Sequence, residues 1–149
     1  MSDRILLRLP VRAVACAALA GAALLPTIAH AGSVKLVATL TGAVETPPGK
    51  PDGTGGFKVE LDPDTNDFCY SLWGDNIGTP TMAHLHAGAA GVSGAPVITL
   101  EVTGKDDDAC IAVDKAKLDP IVANPSAFYI NIHTAEFPGG AVRGQLAKP

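Results

Sequence analysis

From residue 34 onward the chain is cut into short runs in which apolar and polar residues alternate. Each run is closed by glycine, proline or a cluster of Asp and Asn. A period of two sends successive side chains to opposite faces of an extended strand, so no helix fits these runs. Residues 34–40 are the first, rich in β-branched side chains. Residues 46–53, TPPGKPDG, hold three prolines and two glycines and read as a loop. Residues 56–61 set Phe57, Val59 and Leu61 against Lys58 and Glu60. A turn at 62–67 and a second run at 68–73 complete a hairpin. Residues 80–87, 96–102, 127–134 and 140–147 read as further strands. Only residues 114–123 favour a helix, one short one, ended by Asn124-Pro125. Short strands at this spacing predict one all-β domain, an antiparallel β-sandwich or a barrel. No internal repeat or linker divides it.

The first 31 residues differ. Arg4, Arg8 and Arg12 form a basic stretch, residues 11–29 are apolar, and Ala29-His30-Ala31 ends the segment with small residues. This pattern predicts a secretory signal peptide over 1–31, with the domain occupying 32–149. As a retained anchor the run is short, and Gly21 and Pro26 interrupt it. Cys16 precedes most of the apolar run, whereas a lipidation site would follow it. The expected location is therefore periplasmic or secreted, with no membrane span after cleavage. Hydrophobic residues make up 47% of the chain and charged residues 17%, too apolar for a disordered segment. The net charge is -4; removing three of 11 basic residues and one of 15 acidic residues with the leader leaves 8 and 14, or -6. With Arg143 as its single arginine, the domain offers no footprint for a nucleic-acid backbone.

Without Cys16, Cys69 and Cys110 are the remaining cysteines. One pairing is open to them, and an oxidising compartment lets a disulfide persist. No C-x-x-C spacing favours a reactive or metal-binding thiol pair instead.

Alternation also sorts the polar side chains. In 81–87, Met82, His84 and His86 share one face. In 128–134, Phe128, Ile130 and Ile132 take the core side and Tyr129, Asn131 and His133 the other. In the last run, Val142, Gly144 and Leu146 face inward, and Ala141, Arg143 and Gln145 face out. If the three strands are neighbours, their polar residues form one patch.

The segments carrying this patch, HLHAG at 84–88 with Gly91 and GAPV at 94–97, then YINIHT at 129–134, PGG at 138–140 and VRGQL at 142–146, resemble the CHRD family. This domain is named for chordin and occurs widely in exported bacterial proteins. The resemblance spans 34–147. It implies an exported all-β domain, of Greek-key, immunoglobulin-like or superoxide-dismutase-like build, to which no enzymatic activity is generally assigned. The growth-factor partners of chordin-like proteins do not carry over to a small stand-alone chain.

The patch admits three readings. His84 and His86, two positions apart on a strand, can reach one ion, with His133 as third ligand and Met82 as a further donor; imidazole with thioether suits copper. Alternatively, Tyr129, Asn131, Arg143 and Gln145 satisfy one another and nearby carbonyls in a structural hydrogen-bonding network. Third, the patch binds a small ligand or an envelope or extracellular protein, which Arg143, a positive charge beside the histidines, would favour over a metal. A dismutase-like redox enzyme is disfavoured, because three histidines cannot build a bridged two-metal centre. Asp62, Asp64 and Asn66 match a Ca²⁺ loop only in part and read as a hairpin turn. Asp106 to Asp108 read as a solvated loop, and Ser93 lacks nucleophile-elbow spacing. Trp73 and Phe57 read as core residues.

Overall fold

Eight strands run through the chain: β1 (Val34–Thr41), β2 (Thr54–Asp62), β3 (Asp67–Asp75), β4 (Pro80–Ala87), β5 (Pro96–Leu100), β6 (Ala109–Ala112), β7 (Phe128–Thr134) and β8 (Val142–Gln145). One helix, α1 (Lys115–Ala123), lies between β6 and β7. The structure is a computed structural model and describes residues 32–149; the signal peptide expected at 1–31, with Cys16, lies outside the described residues. Among the described residues no helix is long and apolar enough to cross a membrane.

The strands form one antiparallel sheet in the order β5-β4-β7-β8-β1-β2-β3-β6, curled into a half-barrel. The all-β antiparallel expectation holds, but the sheet is not clearly a two-sheet sandwich. The reason lies in β8, which pairs with β7 from Tyr129↔Gln145 to Ile132↔Val142 and also meets β1 at Thr41↔Arg143. Val37 and Ala147 exchange both backbone hydrogen bonds, each 2.9 Å, and extend that seam. Gly144 permits the approach: a Cβ there would sit 2.3 Å from the Thr39 carbonyl oxygen. Two halves that a sandwich would keep apart are thus stitched into one sheet.

The inner face carries the core. Leu36, Leu40, Leu61, Phe68, Leu72, Ala83, Leu85, Ile130, Ile132 and Val142 are fully buried there. Each large aliphatic side chain contributes about 1.5–3 kcal/mol on burial. The nine-residue helix is too short to be stable alone; it is held by burying Leu118 and Ile121, one turn apart. The hairpin turn at 62–67 has Asn66 in the left-handed region (φ 65°) and an Asp64 N–H donating to Asp62 Oδ1 at 2.9 Å.

Two details differ from the sequence reading. Residues 109–112, not anticipated as a strand, pair with β3 and place Cys110 directly opposite Cys69, to which it is disulfide-bonded. Phe57 is a core residue, packed against Phe68 and Tyr70, but Trp73 is not. Phe68, Tyr70 and Leu72 face inward, so Trp73 falls on the outer face. Its ring lies against Gly56, and the Lys58 ammonium sits 5.6 Å from the ring centroid.

Candidate metal centre

β4, β7 and β8 are neighbours, so the polar residues of three strands share one outer face. Register sets Met82 opposite His133, His84 opposite Asn131 and His86 opposite Tyr129; across β8, Asn131 faces Arg143 and Tyr129 faces Gln145. Much of this face is covered. The 42–53 and 88–95 loops lie over it, and His86, His133, Tyr129, Asn131 and Arg143 are buried.

One ring nitrogen from each of His84, His86 and His133 can be chosen so that all lie within 4.8 Å of one another. Hydrogen bonds fix the tautomers. His86 Nδ1 lies 2.8 Å from the Gly94 carbonyl oxygen, and His133 Nδ1 lies 2.9 Å from that of Pro138. A carbonyl only accepts, so both Nδ1 atoms carry the proton and both Nε2 atoms keep a lone pair. His84 Nδ1 then donates to His133 Nε2 at 3.1 Å. His86 Nε2 is buried and has no hydrogen-bond partner. An imidazole anchored through Nδ1–H to a backbone carbonyl, with Nε2 free, is the arrangement in which proteins present histidine to a metal. Nitrogens bound at about 2.0–2.1 Å lie no more than about 4 Å apart, so the rings would draw together slightly around an ion. Met82, opposite His133 in the register, is 53% exposed.

Burial holds the His84 imidazole below its ordinary pKa of 6.5, with His133 and then His86 adding to the effect. Burial lowers His133 too, against the opposing pull of the Pro138 carbonyl. Both groups therefore bind protons more readily in the unfolded chain. The stability they contribute is fully present above about pH 6.5 and is lost as pH falls through their folded values. Denaturant unfolding of the metal-free protein is expected to show a lower midpoint at about pH 5 than at about pH 7.5, and that fall should shrink in a His84→Gln/His133→Gln variant.

Arg143, Tyr129 and Gln145 do something else. His86 stacks on one face of Tyr129 (centroids 4.7 Å apart, 6° between planes), and the Arg143 guanidinium carbon lies 3.4 Å from the Tyr129 ring centroid. Arg143 Nη2 donates to the Ala89 and Val92 carbonyls, each at 2.9 Å. Gln145 Nε2 donates to Gly88 O at 2.6 Å, and Gly94 N–H donates to the Tyr129 hydroxyl at 3.2 Å. Together they pin the glycine-rich loop, and the loop in turn supplies the carbonyl that orients His86. Ser93 fits this role: exposed, it donates to the Thr46 carbonyl at 3.2 Å and joins the two loops. A Cβ on Gly94 would lie 1.5 Å from the Ala87 carbonyl oxygen. Gly94→Ala is thus expected to lift the loop and destabilise the fold by about 1–3 kcal/mol, with faster amide exchange across 88–95 as the readout.

The sequence reading missed Glu45. It lies in the 42–53 loop, is 6% exposed, and its Oε1 has no hydrogen-bond partner, nor has the buried Asn131 Oδ1. Burial pushes the Glu45 carboxyl up, against the Thr46 N–H, Asn131 and the charge of Arg143, which pull it down. Gly140, at φ 139°, leaves the space that the carboxylate fills.

Fold and site define an all-β module with three imidazoles clustered beneath two loops. The CHRD domain profile matches residues 36–146, and the chain belongs to the CHRD family. No curated protein and no solved structure matches it.

Proposed function

We propose that this CHRD domain is an exported, non-catalytic binding module that takes a copper-type metal ion through His84, His86 and His133. Met82 supplies a further donor. The observation that carries this reading is the buried, partnerless Nε2 of His86, in a cluster where each of the three imidazoles offers a nitrogen within 4.8 Å of the others. A buried nitrogen lone pair without a donor costs about 1–3 kcal/mol, and a metal ion removes that cost. Three imidazoles with a thioether beside them favour copper over zinc, since thioethers are soft ligands that zinc seldom uses. Export accords with the disulfide, which oxidising compartments preserve.

The structural network and the metal site are not rivals here. Arg143, Tyr129 and Gln145 act on the loop, while the Nε2 of His86 is left without a partner. Calorimetric titration of the purified protein with Cu²⁺, Cu⁺ and Zn²⁺ tests the reading. Copper is expected to bind one ion per chain and more tightly than zinc. A His84→Ala/His86→Ala variant that binds copper as well as the parent would overturn the assignment.

A further inference from the structure

A cavity of about 290 Å³ opens on the outer face above the β1–β8 seam, between the two roofing loops. Thr39, Thr41, Arg143 and Gln145 line its polar part, and Val44 and Ala90 line its apolar part. Arg143 is only 2% exposed. Among the described residues no carboxylate lies within ion-pair distance of its guanidinium. A buried cation without a counter-charge is costly. The two carbonyls and the Tyr129 ring offset part of that cost, but none of them is an anion. Glu45, in the loop above, is the buried carboxyl nearest in charge influence, yet no ion pair joins it to Arg143.

The remaining lining narrows the chemistry. Gln145 has committed its amide nitrogen to the Gly88 and Ser126 carbonyls, at 2.6 and 2.7 Å. Its Oε1 is left to accept. The threonine hydroxyls can donate or accept. One buried cation, one amide acceptor and two hydroxyls complement an anion that also carries an O–H or N–H. The volume has ample room for a small organic acid. We propose that this cavity is a binding site for a small hydroxy- or amino-carboxylate, with its carboxylate toward Arg143 and its donor toward Gln145. The assignment is independent of any metal at the histidines.

The test is an amide-resolved NMR titration of the metal-free protein with glycolate, glycine, acetate and inorganic phosphate. Glycolate or glycine is expected to saturate, shifting amides at 39–44, 90–91 and 143–145, and to bind more tightly than acetate. Ala90→Phe, at an exposed loop position, fills the cavity and should weaken binding at least about tenfold without changing copper affinity. Thr39→Val, which removes a hydroxyl and adds no bulk, should weaken it several-fold. The proposal is overturned if neither glycolate nor glycine saturates, if phosphate alone binds, if Ala90→Phe leaves binding unchanged, or if the shifts centre on His84, His86 and His133.

Discussion

A His86→Phe variant is expected to lose copper affinity by about a hundredfold or more, close to 2.7 kcal/mol, while its metal-free form stays as stable as the parent or becomes more so. The two readouts separate a ligand from a structural residue. Phenylalanine keeps the stack on Tyr129, where the imidazole now lies parallel at 4.7 Å. It forfeits the hydrogen bond from Nδ1 to the Gly94 carbonyl, about 0.5–1.5 kcal/mol. It also deletes the buried Nε2 that has no partner, and an unsatisfied buried group costs about 1–3 kcal/mol. The gain is at least as large as the loss. Were His86 retained for stability alone, the variant would unfold at lower denaturant. A protein that keeps an orphaned lone pair where an apolar ring would do as well is conceding stability to function. The companion variant Tyr129→Phe should act only through the loop. It removes the hydroxyl that holds Gly94 N–H, so copper affinity should fall by no more than about 10–100-fold, the range for outer-shell partners. Copper affinity in His86→Phe equal to that of the parent would end the metal assignment.

Period-two alternation was enough to put His84, His86, Tyr129, Asn131, His133, Arg143 and Gln145 on one side of three strands, because strand geometry leaves only two faces. It could not say that this side is buried, since the cover comes from the 42–53 and 88–95 loops, whose course depends on long-range hydrogen bonds such as Arg143 to Ala89 and Val92. Glu45 was invisible for the same reason: no periodicity marks a residue beside a proline-rich loop. Sequence could not give the course of the Arg143 side chain either, whose guanidinium lies against Tyr129 and donates to the loop carbonyls. Sheet closure was not legible either. Alternation is identical in a sandwich and in a curled half-barrel, and the difference rests on β8 touching β1 through Gly144. β6 escaped because ACIA is too short to show a pattern and becomes a strand by pairing with β3. Trp73 was within reach of the method, since counting in twos from Phe68 sends it outward.

Replacing Cys69 and Cys110 by serine is expected to remove about 4 kcal/mol of stability, the loop-closure entropy of a cross-link of this span, the two residues being 41 apart in sequence. For a domain of this size that is a large share of a net stability of about 5–15 kcal/mol. The loss should be read as a fall in the urea midpoint with a steeper slope, since the unfolded chain without its cross-link is more expanded and exposes more surface. Its first effect should be local. β6 is four residues long, and its ladder partner is β3. Without the covalent tie, its few backbone hydrogen bonds must hold an edge strand against fraying, which they do poorly. Amides of 109–112 should therefore exchange fastest in the variant, while those of β2 and β7 keep their protection relative to global unfolding. Loss of β6 would uncover the N–H and C=O groups of β3, a long strand that then becomes the sheet edge and a template for association. Concentration-dependent aggregation of the variant follows from that exposure. Cys110 is exposed, so a dithiol reductant added to the parent should reproduce the serine variant. A midpoint unmoved by both treatments would show that the sheet holds β6 without the disulfide.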